Sequence, residues 1–193
     1  MRVLNRDGEI DFYEDFLGED EADRLFQQLE ISMDWQEEHL RMGGRTVRVP
    51  RRVAWHGDAG AVYRYSAVRH EPQPWTPELL ALRTRLEDFC GHRFNSVLGN
   101  RYADGQDGMG WHADNEPELG TEPFIASLSL GAERRFDIRH NATREILHLS
   151  LGSGSLLNMG GAFQSHWQHR VAKAGGIIRP RINLTFRLIY PSS

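Results

Sequence analysis

Cysteine and lysine are almost missing: Cys90 and Lys173 each occur once in 193 residues. A single cysteine excludes an internal disulfide and fits a reducing compartment. With nearly all basic charge carried by arginine, arginine preference is chain-wide, and a local arginine cluster is weak proof of anything by itself. No apolar run approaches a membrane span, and the opening residues lack the basic-then-apolar pattern of a signal peptide, so the expected address is cytoplasmic with no membrane partner. Repeats, linkers and low-complexity segments are absent, as is any Ser-His-Asp arrangement for nucleophilic catalysis. The net charge of −4 does not mark a nucleic-acid binder.

What is present reads as one globular domain over residues 1–193, expected as a monomer, with 39% hydrophobic and 26% charged residues. Charge is unevenly distributed. The segment from Asp7 to Glu38 is acidic apart from Arg24, whereas Arg41, Arg45, Arg48, Arg51 and Arg52 crowd the next stretch as a stripe suited to a phosphate backbone. Ala22, Leu25, Phe26 and Leu29 recur at helical spacing and predict an amphipathic helix over residues 15–29. Thr76 as cap, Pro77 in the first turn and Gly91 at the end predict a second helix with a stripe of Leu79, Leu82, Leu86 and Phe89. Between them, Gly43-Gly44 marks a hairpin tip, followed by aromatics interleaved with arginines around Trp55, Tyr63 and Tyr65. That mixture suits stacking on an unpaired base, and equally suits filling a core.

From Phe94 onward the chain breaks into short strands punctuated by Gly, Asp and Asn: 94–102, 111–112, 124–130, 134–140, 145–149, 155–159, 166–171 and 181–189. Eight such strands predict a mostly β fold with flanking helices, a double-sheet jelly roll with room for a site between its sheets.

Three pieces carry chemistry. His112 and Asp114 fall on one face of a short strand, as two ligands of a 2-His-1-carboxylate site would. In the last strand Ile182, Leu184, Phe186 and Leu188 take one face and Arg181, Asn183, Thr185 and Arg187 the other. Arginine binds carboxylates through a planar fork, so the second face suits a dicarboxylic acid. Asn100 and Tyr102, two residues apart, are further donors for such an acid. His166 and His169 have opposite strand parity, and the residues alone do not choose between them.

Taken together, His112-x-Asp114, Trp167-Gln168-His169-Arg170-Val171 and Pro180-Arg181-Ile182-Asn183-Leu184-Thr185-Phe186-Arg187 resemble the AlkB family of Fe(II)- and 2-oxoglutarate-dependent nucleic-acid dealkylases, on the branch of the human DNA-repair homologues. The likeness extends over roughly residues 45–190 and takes in Pro50-Arg51, Phe94-Asn95-Ser96, Asn100-Arg101-Tyr102 and Ile125-Ala126-Ser127-Leu128-Ser129. It implies a double-stranded β-helix over 94–193 preceded by helices and a substrate-recognition lid over 1–93. It also implies Fe(II), 2-oxoglutarate and O₂ as reactants, with His112, Asp114 and His169 on the metal. Arg181 would pair with the distal carboxylate of 2-oxoglutarate and Arg187 would lie nearer the carboxylate on iron, with Asn100, Tyr102, Asn183 and Thr185 beside them.

The implied activity is oxidative demethylation of bases such as 1-methyladenine and 3-methylcytosine in DNA, with RNA as a further substrate. Tyr65 would stack on the flipped base; Met42, Arg51, Tyr63 and Glu116 are the other implied substrate contacts. The hairpin tip carries Met42 and two glycines where duplex-acting members carry a bulky wedge, so single strands are the expected preference. The rival expectation is an oxygenase of the same chemistry acting on a protein or small molecule.

Overall fold

The computed structural model describes the backbone of residues 1–65 and 68–190, and their side chains apart from 40, 42, 63–65 and 68–70. In chain order the strands and helices are β1 (Arg2–Asn5), β2 (Glu9–Tyr13), α1 (Glu19–Ser32), β3 (Gln36–Met42), β4 (Arg45–Gly57), β5 (Tyr63–Tyr65), β6 (Val68–His70) and α2 (Pro77–Cys90). There follow β7 (Ser96–Tyr102), β8 (Met109–His112), β9 (Ile125–Gly131), β10 (Arg134–His140), β11 (Ile146–Leu151), β12 (Leu156–Gly160), α3 (Phe163–His166), β13 (Trp167–Val171) and β14 (Arg181–Arg187). A 3₁₀ turn, Pro117–Leu119, stands between β8 and β9.

Two antiparallel sheets form the jelly roll. The larger runs β1-β2-β12-β9-β14-β7-β4-β3 and the smaller β11-β10-β13-β8. The eight strands after Phe94 are those the sequence predicts, with ends shifted by a few residues. The segment before it contributes more strand than its pattern suggests: besides the two arms of the expected hairpin, β3 and β4, it adds β1 and β2, and all four extend the larger sheet.

The helices lie on the outer face of that sheet because their apolar stripes match its even-numbered face. Leu25, Leu29, Leu79, Leu82 and Leu86 pack with Ala126, Leu128, Ile182, Leu184 and Phe186 in one core. A second core lies between the sheets, where Tyr102, Ile125, Phe136, Ile138, Met159, Phe163 and Trp167 meet. Each fully buried aliphatic chain here contributes about 1.5–3 kcal/mol.

Local signals explain where the helices start and stop. Thr76 Oγ1 accepts from Leu79 N at 3.3 Å, Pro77 opens α2, and Gly91 closes it with φ +71°, as expected. Helix α1 begins at Glu19 rather than Asp15. Leu17 N bonds Gly154 O at 3.0 Å and the Leu17 side chain is buried, so residues 15–18 dock as a turn before helix can start. Phe89 also departs from expectation. It is 48% exposed and meets Tyr13 and Phe16 edge-on, so the buried stripe of α2 ends at Leu86.

The β3–β4 hairpin turns on Gly43 and Gly44, with φ +56° and +80°. Two positive φ values in a two-residue loop are what the right-handed twist of the flanking strands demands, and glycine adopts them without strain. Among the described residues no helix is long and apolar enough to cross a membrane.

Candidate active site

The last strand shows why its pattern is unusual. All seven residues of β14 are buried, so the polar face is not a solvated surface but part of the interior. Ile182, Leu184 and Phe186 face the helices, and the odd-numbered side chains therefore point between the sheets. Burying two guanidiniums there is costly unless something negative meets them.

Asp114 meets one. It lies just beyond the end of β8 rather than within a strand, and its position is held from behind: its backbone N–H donates to Gln164 Oε1 at 2.8 Å. Arg187 Nη2 donates to Asp114 Oδ1 at 3.2 Å. Burial pushes the Asp114 carboxyl up, but Arg187, His169 and His112 outweigh it and hold the group below the usual carboxylate range.

The two-histidine ambiguity is resolved by local structure. Residues 163–166 form a helical turn that leaves His166 exposed, and the strand begins only at Trp167. On β13 the buried positions are Trp167, His169 and Val171. His169 pairs directly across the ladder with His112, and their rings lie 4.2 Å apart. Burial, His112 and Arg187 lower the His169 pKa to about 3 against the pull of Asp114, so it is a neutral imidazole at physiological pH, the form that binds metals.

His112, Asp114 and His169 each offer one ligand atom, and these lie within 4.8 Å of one another. His112 Nε2 is 3.9 Å from Asp114 Oδ1 and His169 Nε2 is 3.7 Å from Asp114 Oδ2. The Nδ1 of His112 lies 2.9 Å from Gly110 O; against a carbonyl it must carry the proton, which leaves the Nε2 lone pair directed at the site. Two imidazoles and one carboxylate on a common face fit a divalent iron ion with open positions.

Arg181 provides the second anchor. It is 1% exposed and donates from Nη2 to Ser129 Oγ at 2.9 Å, while its Nε and Nη1 find no hydrogen-bond partner among the described residues. A buried fork with two unused donors fits a carboxylate such as the distal end of 2-oxoglutarate. Burial lowers its pKa to about 10, still high enough to keep it charged.

The remaining expected residues occupy different positions. Asn100 lines a cavity of about 370 Å³ that reaches Asp114 and Arg187, and its Oδ1 accepts from Arg51 Nε at 2.8 Å. Arg51 is therefore no part of the outer basic stripe. It is buried in the cavity wall, while Arg41, Arg45, Arg48 and Arg52 stay exposed. Tyr102 is buried between Arg134 and Arg181, whose guanidiniums lie 5.6 and 5.3 Å from its ring centroid.

Asn183 donates to Ser127 Oγ at 2.8 Å and Leu128 O at 3.1 Å, and Thr185 to Leu98 O at 3.2 Å, so these donors brace the neighbouring strands. Glu116 precedes the 3₁₀ turn, half-buried, and does not belong to the cavity lining. The expected contacts through Met42, Tyr63 and Tyr65 lie outside the described side chains. Sequence reasoning overlooked Gln164, Ser129 and Arg134, since a polar residue that orients another carries no pattern of its own.

A family model described as the 2OG-Fe(II) oxygenase superfamily matches residues 9–187, nearly the whole chain and every residue of this site. The chain belongs to the AlkB-like 2OG-Fe(II) oxygenases. Alpha-ketoglutarate-dependent dioxygenase alkB homolog 3 of Bos taurus is 42% identical over 89% of the chain, and the match spans 63% of that relative's length. DNA oxidative demethylase ALKBH2 of Mus musculus is 39% identical over 99% of the chain and 84% of its own length. The solved structure of OsALKBH1 shares the fold, with a TM-score of 0.62, 20% identity and coverage of 97% of this chain and 99% of that one. As an oxygenase of this family the chain uses Fe(II), 2-oxoglutarate and O₂, and its His-Asp-His group is the donor set this requires.

Proposed function

We propose that this oxygenase demethylates N-alkylated bases in DNA, 1-methyladenine and 3-methylcytosine among them, in direct repair of alkylation damage. The composition of the cavity is the observation that supports this most. Its lining includes Asp114 and Arg187, the apolar Trp55 and Leu98, and the carboxylates of Glu37, Glu38 and Glu71. A base methylated on its Watson–Crick edge is flat and positively charged, and apolar walls with several carboxylates suit such a ring. The relatives named above as a DNA oxidative demethylase and an alkB homolog agree with this reading.

Fe(II) held by His112, Asp114 and His169 would, with 2-oxoglutarate and O₂, supply an oxidation that turns a methyl C–H into C–OH with succinate and CO₂ as co-products, after which the hydroxymethyl group would break down to formaldehyde and the restored base. The protein's part is placement. His112, Asp114 and His169 hold the metal, Arg181 receives the distal carboxylate, and Arg187 fixes Asp114. No side chain need act as a nucleophile. The target base must leave its stack to reach the site, and the glycine tip of the β3–β4 hairpin favours single-stranded substrates, RNA included.

The test is formaldehyde and succinate release, dependent on added iron, from an oligonucleotide carrying 3-methylcytosine. Turnover on that oligonucleotide is the expected result. Oxidation of peptides or small metabolites with no reaction on the oligonucleotide would overturn it.

A further inference from the structure

Arg134, the first residue of β10, is 2% exposed, and its guanidinium borders the Tyr102 ring. A buried arginine usually faces a carboxylate. This one gives its hydrogen bonds to three main-chain carbonyls: Asp104 O at 3.1 Å, Asp107 O at 2.8 Å and Ala172 O at 2.7 Å. The carboxylates of Asp104 and Asp107 lie near enough to support its charge, yet they bond within their own loop, to Gln106 N at 2.7 Å and Ala103 N at 2.8 Å. Two buried guanidiniums thus border one phenol ring, and neither is hydrogen-bonded to a carboxylate. Carbonyl dipoles satisfy donors without cancelling the charge.

The loop that Arg134 holds is itself tightly joined to its surroundings. Gly105 N donates to Ile177 O at 2.9 Å and Gly105 O accepts from Ala174 N at 2.8 Å. The approach is so close that a Cβ at position 105 would stand 1.8 Å from Ala174 O. Gly108 N donates to Pro50 O at 3.0 Å, one residue before the cavity arginine, Arg51. Arg134 therefore connects the Tyr102–Arg181 end of the barrel to the cavity wall.

We propose that Arg134 is a positioning residue for 2-oxoglutarate, acting as a second buried cation behind Arg181 and as the clasp of the 103–108 loop that closes this end of the barrel. The proposal rests on the reading that the distal carboxylate docks at Arg181. The positive charge of the pair selects a keto acid with a second carboxylate over one without it.

Calorimetric titration of the Mn(II)-loaded enzyme with 2-oxoglutarate and with 2-oxopentanoate, which lacks the distal carboxylate, tests this. Arg134→Gln should weaken 2-oxoglutarate about tenfold and leave 2-oxopentanoate within about twofold, and Arg134→Lys should restore part of the preference. Arg134→Met, which fills the space without charge, carries the test if the Gln variant melts. Equal loss for both acids, or no loss for either, overturns the proposal. Arg181→Met separates the two levels: if it leaves the preference intact, the docking reading fails; if it abolishes the preference while Arg134→Gln does not, only the role of Arg134 falls.

Discussion

Arg187 and Asp114 join the last strand to the metal group: Nη2 stands 3.2 Å from Oδ1, and both side chains are almost wholly buried. The pair compensates the carboxylate's charge when no metal is bound. Replacing Arg187 with Met should destabilise the metal-free protein by roughly 3–5 kcal/mol, the cost of leaving a buried charge unpaired. Adding Mn(II) should recover more melting temperature in the variant than in the parent, because the ion then takes over that compensation. A gain in the variant no larger than the parent's would show that the pair does not have this role.

The histidines make a sharper comparison. His169→Ala should abolish tight binding of Mn(II), measured by calorimetry or electron paramagnetic resonance. His166→Ala should leave it unchanged, since His166 is exposed and its ring stacks on His140 at 6.3 Å. Loss of binding in the second variant would mean the helical turn at residues 163–166 does not hold in solution.

Acid sensitivity should have a source away from the metal. Asp137 is fully buried, 2.8 Å from Arg170 Nε, 2.6 Å from His148 Nδ1 and 2.9 Å from Arg135 Nε. Burial pushes its carboxyl up, but these partners hold it below its ordinary value. A depressed carboxyl contributes stability that is complete above the unfolded value of about 3.9 and fades as pH falls through the lower folded one. Asp137→Asn should lower the melting temperature clearly at pH 7, with the gap to the parent narrowing below about pH 3.9. A gap that widens in acid would contradict this.

A preference for single strands is predicted from the hairpin. The tip at Gly43 and Gly44 has open space around both positions and places no ring there to fill a vacated base stack. Turnover of one lesion should be faster in a single strand than in the matching duplex. Faster duplex turnover would place the wedge somewhere other than this turn.

Much of this could be read along the chain. The Thr76–Gly91 helix, the Gly43-Gly44 turn and the alternation of residues 181–187 are local patterns, governed by capping, φ preference and strand period. Strands β1 and β2 were not legible, because β2 acquires its identity only from pairing with β12 across more than 140 residues of sequence, and β1 only from pairing with β2. Arg51 shows the same limit. Its neighbours place it in an arginine stripe, and only the β4–β7 pairing carries it to Asn100.

The sequence by itself determined the ligand types, the jelly-roll strand pattern and the polar face of the last strand, since each is a matter of residue chemistry and short-range period. The resemblance already implied His169, but only the tertiary structure gave the physical reason that it and not His166 faces Asp114, and only it decided that the arginine face is buried and that Arg134 shares the Tyr102 ring with Arg181. These depend on which strands become neighbours, and that is settled by the burial of two cores from distant segments, which local pattern does not encode.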